Sequence, residues 1–143
     1  MAYFINSISK FEDWEKVYHF FLEYCDSFIV YYPNGNDPRG DNPLLEGKKK
    51  FEQLPDIETK PWSGMADSSE FKGKLTEESK RLFKNYTEPR LWHFDLLKHN
   101  EKLFKVEDFT KCFIADKSNI TEKLKATKKV DLSVVDNIEY HLN

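Results

Sequence analysis

Residues 11–32 constrain the fold more than any other stretch. Phe11, Trp14, Tyr18, Phe21, Leu22 and Cys25 recur at the spacing of one face of a 3.6-residue helix, and Val17, Phe20 and Tyr24 widen it. Ser9-Lys10-Phe11-Glu12 has the form of a capping box, in which the serine hydroxyl accepts from the third helical N–H and Glu12 reaches back to the serine N–H. The spacing predicts a helix over 10–26, closed by Asp26-Ser27. Phe28-Ile29-Val30-Tyr31-Tyr32 follows with no polar break and stops at Pro33. A β-branched and aromatic run without alternation predicts a central strand covered on both faces. A helix that feeds at once into such a strand demands a layered core around both.

Composition agrees that a core can form. The chain has 143 residues with twelve Phe, seven Tyr and three Trp, a length that fits one domain. Disordered, collagen-like and strongly basic classes are excluded. The net charge is −3, but residues 1–46 carry three bases and eight acids, whereas residues 47–98 carry eleven bases and nine acids. An acidic front repels nucleic acid and attracts a basic partner; it is also what an ordinary solvated surface looks like. Lys48-Lys49-Lys50 is too short, and too closely flanked by Glu46 and Glu52, to track a phosphate backbone. The longest apolar runs fall far short of a membrane span, and the first residues lack the basic and apolar regions of a signal peptide, so a cytoplasmic chain is expected. In that compartment Cys25 and Cys112 are expected as buried, reduced thiols rather than a disulfide.

Beyond Tyr32, residues 33–43 are turn or breaker types except Arg39, an eleven-residue loop of the kind that often carries function. Leu44, Leu45, Phe51 and Leu54 form either a short helix broken at Gly47 or an irregular strap. Pro61 and Gly64 forbid a long regular element between 56 and 69. Thr76-Glu77-Glu78 opens a helix over 76–87, with Leu75, Leu82, Phe83 and Tyr86 inward. Residues 91–97 and 103–107 alternate about a polar turn of four or five residues, a hairpin over 91–107 with Trp92, Phe94 and Leu96 on one face and Phe104 and Val106 inward. Lys111-Cys112-Phe113-Ile114-Ala115 adds a third strand, and a C-terminal helix is expected over 133–142. Helices segregated from adjacent strands predict a single α+β domain with a mostly antiparallel sheet and about three helices.

The chemical motifs are sparse. No nucleophile elbow, dinucleotide fingerprint, phosphate loop or zinc-ligand spacing is present, so no cofactor and no metal are expected. His93 and Asp95 share one face of a strand and His99 follows in the turn, which makes them the acid–base candidates of a small-ligand site or hydrolase-like centre; the plainer alternative is a sheet face turned to solvent. Tyr31 and Tyr32 point to opposite faces, and one of them should approach the long loop. Trp62 either plugs the core beneath a strap or stands out as a binding anchor. Asp37, Asp41 and Glu46, with Trp62, make the best candidate for a partner-facing patch, combining negative charge with an aromatic.

In size, charge and lack of motifs the chain resembles small bacterial immunity and antitoxin proteins, which plug the site of a toxin. The likeness covers no alignable stretch and carries over no residue. It implies a non-enzymatic inhibitor that binds another protein, such as a basic toxin or nuclease domain, by occlusion.

Overall fold

The computed structural model describes residues 2–5, 11–86, 90–109, 111–115, 120 and 122–123. Seven strands, β1 (Ala2–Ile5), β2 (Ser27–Pro33), β3 (Glu58–Pro61), β4 (Ser68–Lys74), β5 (Phe94–Lys98), β6 (Glu101–Glu107) and β7 (Lys111–Ala115), build one sheet in the order β1-β7-β6-β5-β2-β4-β3. Every neighbouring pair is antiparallel. Helices α1 (Phe11–Tyr24), α2 (Lys48–Glu52) and α3 (Glu77–Lys84) complete the α+β arrangement. The helix expected over 133–142 and the capping box at Ser9 lie outside the described residues.

The strand after α1 is interior, as its unbroken apolar run requires: β2 pairs with β4 on one side and β5 on the other. Phe28, Val30 and Tyr32 face the helices, where they join Val17, Tyr18, Phe21 and Leu22 of α1, Phe51 of α2, Phe83 of α3 and the inward residues of β5 to β7. The buried Tyr18 hydroxyl donates to the Phe83 carbonyl at 2.8 Å, tying α1 to α3 without leaving a polar atom unsatisfied. Both cysteines are buried free thiols. Burial, with Asp26 beside it, pushes the Cys25 thiol up to about 12, and burial alone raises Cys112, which keeps both inert.

Two stretches that the pattern left open are settled, and two expectations change. Residues 44–54 resolve into a 3-10 turn, Pro43–Leu45, then α2, with Gly47 breaking between them at φ 82°. The breaker-rich stretch beyond it nonetheless holds the short edge strand β3 and leads into β4. The hairpin loop has two residues, not four or five: His99 and Asn100 both take positive φ (49° and 65°), so pairing runs on to Lys98–Glu101. The remaining misfit is absorbed as a bulge opposite Leu96 and Leu97. Lastly, β5 begins only at Phe94, and the bend at 91–93 turns Trp92 away from the row of Phe94 and Leu96, toward the rings of Trp62 and His93.

Candidate functional site

The second face of the sheet carries Ile29, Tyr31, Asp95 and Leu97, the alternate residues of β2 and β5. Asp95 lies directly opposite Lys105 of β6 and is fully buried, at 0 % exposure. Its Oδ2 accepts a short hydrogen bond from the Tyr31 hydroxyl and pairs with Lys102 Nζ at 3.3 Å. Among the described residues its Oδ1 has only Lys105 Nζ, at 3.8 Å. Burial first, and then the neighbouring Asp95 carboxylate, drive the Tyr31 phenol far above its ordinary range, so it remains a donor.

Trp62 closes this cluster. The β3 register puts it on the same face as Lys60, and its indole meets Tyr31 at 4.7 Å and His93 at 4.9 Å between ring centroids. A Cβ at Gly64 would stand 2.7 Å from the indole, so glycine lets the strap close over it. Both nitrogens of His93 are covered and have no hydrogen-bond partner among the described residues. Burial, with the Lys105 charge beside it, pulls the His93 imidazole down to about 4. The sequence placed His93 and Asp95 correctly on one face, but that face is closed rather than turned to solvent. His99 does not join them. It sits at the far end of β5 with its side chain 83 % exposed, its backbone N–H and ring both engaging Asp26.

Across the sheet, Tyr32 is the tyrosine that approaches the long loop, donating to the Glu46 carbonyl at 2.8 Å. Loop 34–47 is tied at several points. Asp37 accepts from the Asn42 N–H, Asn42 Oδ1 caps the 3-10 turn through Leu44 N–H at 3.0 Å, and Lys48 Nζ donates to the Gly35 carbonyl at 2.7 Å. Beneath it opens a pocket of about 250 Å³ whose lining includes Asp37, Glu46, Glu52, Lys48, Lys49, Lys50 and Tyr86.

The predicted partner-facing patch is therefore divided. Asp37 and Glu46 share the pocket, Asp41 is exposed beside it, and Trp62 lies on the other face of the sheet, where it acts as a plug over Tyr31. The acids are also less available than charge counting implies, because Glu46 pairs with Arg90 at 2.7 Å and Glu52 with Lys48 at 3.6 Å. Sequence reasoning missed Lys102, Lys105 and Arg90, and read Tyr86 only as an inward residue of the second helix, not as a pocket residue. For the lysines a signal existed: an aspartate in an otherwise apolar strand faces a lysine once the hairpin is folded about His99-Asn100.

A larger cleft, about 440 Å³, opens where β2, β4 and α3 meet, over Phe28, Leu54 and Ile57. Two of its hydroxyls are spent on α3, where Thr76 and Ser79 form a reciprocal cap. Among the described residues no three His, Cys, Asp or Glu side chains are placed to hold a metal ion, and no helix is long and apolar enough to cross a membrane. The chain matches no family model, no curated protein and no solved structure.

Proposed function

We propose that the protein binds another protein and occludes its surface, in the manner of small bacterial immunity and antitoxin proteins, with residues 34–50 as the contact layer. One observation carries this: the layer is exposed, yet it is held in place by the Asp37, Asn42, Lys48 and Tyr32 hydrogen bonds. A surface ordered before encounter loses little conformational entropy on binding. Asn36, Arg39 and Asp41 stand exposed in it. The acidic first 46 residues support long-range steering of a basic partner, such as a toxin or nuclease domain, although Arg90 answers Glu46 locally.

The test is capture by the tagged full chain from a lysate of its source cells, read by mass spectrometry. Wild type is compared with Arg39→Glu/Asp41→Lys in the loop and with Glu58→Lys/Lys60→Glu on the edge strand. The expected partner is kept by the edge variant, lost by the loop variant, and bound about tenfold more slowly when salt rises from low to moderate. An identical set of proteins on all three chains overturns the proposal. A second reading, a small-ligand site at His93 and Asp95, is favoured by one fact: Asp95 Oδ1 and both His93 nitrogens are covered without hydrogen-bond partners among the described residues. It requires that a folded His93→Ala chain lose function, whereas the binding reading lets that variant keep its partner.

A further inference from the structure

The pocket beneath the contact layer has a sign of charge that formal counting hides. Two of its three acids are paired with cations of the chain, Glu46 with Arg90 and Glu52 with Lys48, and the third, Asp37, keeps its charge while accepting from the Asn42 N–H. Lys49 and Lys50, also in the lining, have no ion-pair partner among the described residues. The third feature is Tyr86. Its side chain is almost wholly buried, the residue being 8 % exposed, yet its hydroxyl borders the pocket and has no hydrogen-bond partner among the described residues. Burial, and then the Glu46 charge, raise its pKa, so the hydroxyl keeps its proton and is a hydrogen-bond donor at the edge of the pocket.

Gly47 keeps that donor accessible. It adopts φ 82°, and a Cβ there would lie 3.1 Å from the Tyr86 oxygen. The volume of about 250 Å³ falls below the roughly 300–1,000 Å³ of sites for whole small ligands and suits one side chain. We infer that this pocket is a socket for a single anionic side chain, the carboxylate of an aspartate or glutamate presented by the protein partner, held by the Tyr86 hydroxyl and by Lys49 and Lys50. It rests on the protein-binding proposal and refines it: a partner drawn in by long-range attraction to the acidic front inserts one acid at close range. Charge-assisted hydrogen bonds from a neutral hydroxyl and two ammonium groups hold that acid.

The test needs no identified partner. Amide NMR of the full chain is titrated with N-acetylglutamate N-methylamide, with inorganic phosphate, and with N-acetyllysine N-methylamide as the cationic control. The glutamate probe should shift residues 35–50 and Tyr86 with a dissociation constant on the order of millimolar, as one shallow contact allows. Lys49→Ala/Lys50→Ala should weaken it about tenfold, and Tyr86→Phe, which keeps the ring, by about threefold to tenfold. The inference falls if the lysine probe shifts these residues as strongly, if phosphate binds tenfold tighter than the carboxylate, if the loci stay still, or if the variants bind as wild type does. Such a failure leaves the capture result with Arg39→Glu/Asp41→Lys standing, so the two ideas fail separately.

Discussion

Asp95 on the second face and Glu46 at the loop pocket are both carboxylates with a basic partner, but they live in different solvents. Asp95 has no exposure and is answered by Tyr31, Lys102 and Lys105 together. Glu46 and Arg90 keep much of their side chains in water, at 34 % and 51 % exposure. Water screens the second pair and leaves it replaceable by an incoming ion, while the first has no solvent to fall back on. The sealed cluster is thereby suited to hold three strands in register, and the open pocket to exchange partners. Asp95→Ala should therefore have the largest effect of any single substitution in either region. It leaves two lysines and a phenol facing an empty site, at a cost of about 3–5 kcal/mol, measured by urea unfolding. If that variant unfolds with the midpoint of wild type, the supposed contrast between the two regions is gone.

The same cluster predicts a pH dependence. Folded His93 takes up its proton only near pH 4, whereas the unfolded chain protonates that imidazole near 6.5. The stability that comes from keeping the ring neutral is thus complete above pH 6.5. It is lost as pH falls through the window from 6.5 to about 4, and below that no more is lost. The gap corresponds to about 3 kcal/mol. His93→Phe, which preserves the ring contacts with Trp62 and Tyr31, should flatten the stability profile in this window. Carboxylates that titrate nearby act alike in both chains and cancel in the comparison. Equal slopes for the two proteins would mean that the imidazole is hydrated and the face open.

Tyr31→Phe should follow in size. It removes one hydrogen bond to a buried carboxylate and keeps the ring, a loss of about 1.5–3 kcal/mol. An effect below about 0.5 kcal/mol would show that the two lysines alone satisfy Asp95.

How far these regions were legible depends on whether a residue's role is set by its neighbours in sequence or across the sheet. α1 and β2 were readable because their apolar periodicity is local and strong. β4 was not: Ser68–Lys74 has Phe71 as its only large apolar residue, and its pairing with β2 is what makes it a strand. β3 is exposed at all four positions, so no burial pattern marks it. At the site, the alternation that put His93 and Asp95 on one face held. What covers them, Trp62 on its glycine-backed strap, is a tertiary fact with no periodic signature. The acidic patch failed as a unit for the same reason. Charge counting along residues 1–46 cannot see that Arg90, 44 positions further on, pairs with Glu46.

Arg90→Ala should produce the smallest change in stability and the clearest separation of the two regions. A partly exposed ion pair contributes about 0.2–1 kcal/mol, and the guanidinium also rests over the Tyr86 ring at 5.5 Å, so a loss near 1 kcal/mol is expected. Its effect on the pocket should be larger in proportion. Glu46 is left uncompensated within reach of Tyr86 and the lysines, and the pocket becomes more anionic. Binding of the glutamate probe should then weaken about threefold to tenfold, while the unfolding midpoint moves little and added salt restores part of the loss by screening Glu46. If Arg90→Ala instead destabilises the fold as much as Asp95→Ala, the Glu46 pair belongs to the core's electrostatics and the loop layer is part of the scaffold. If probe binding is unchanged, Glu46 does not face the bound anion, and Lys49, Lys50 and Tyr86 alone set the sign of the pocket.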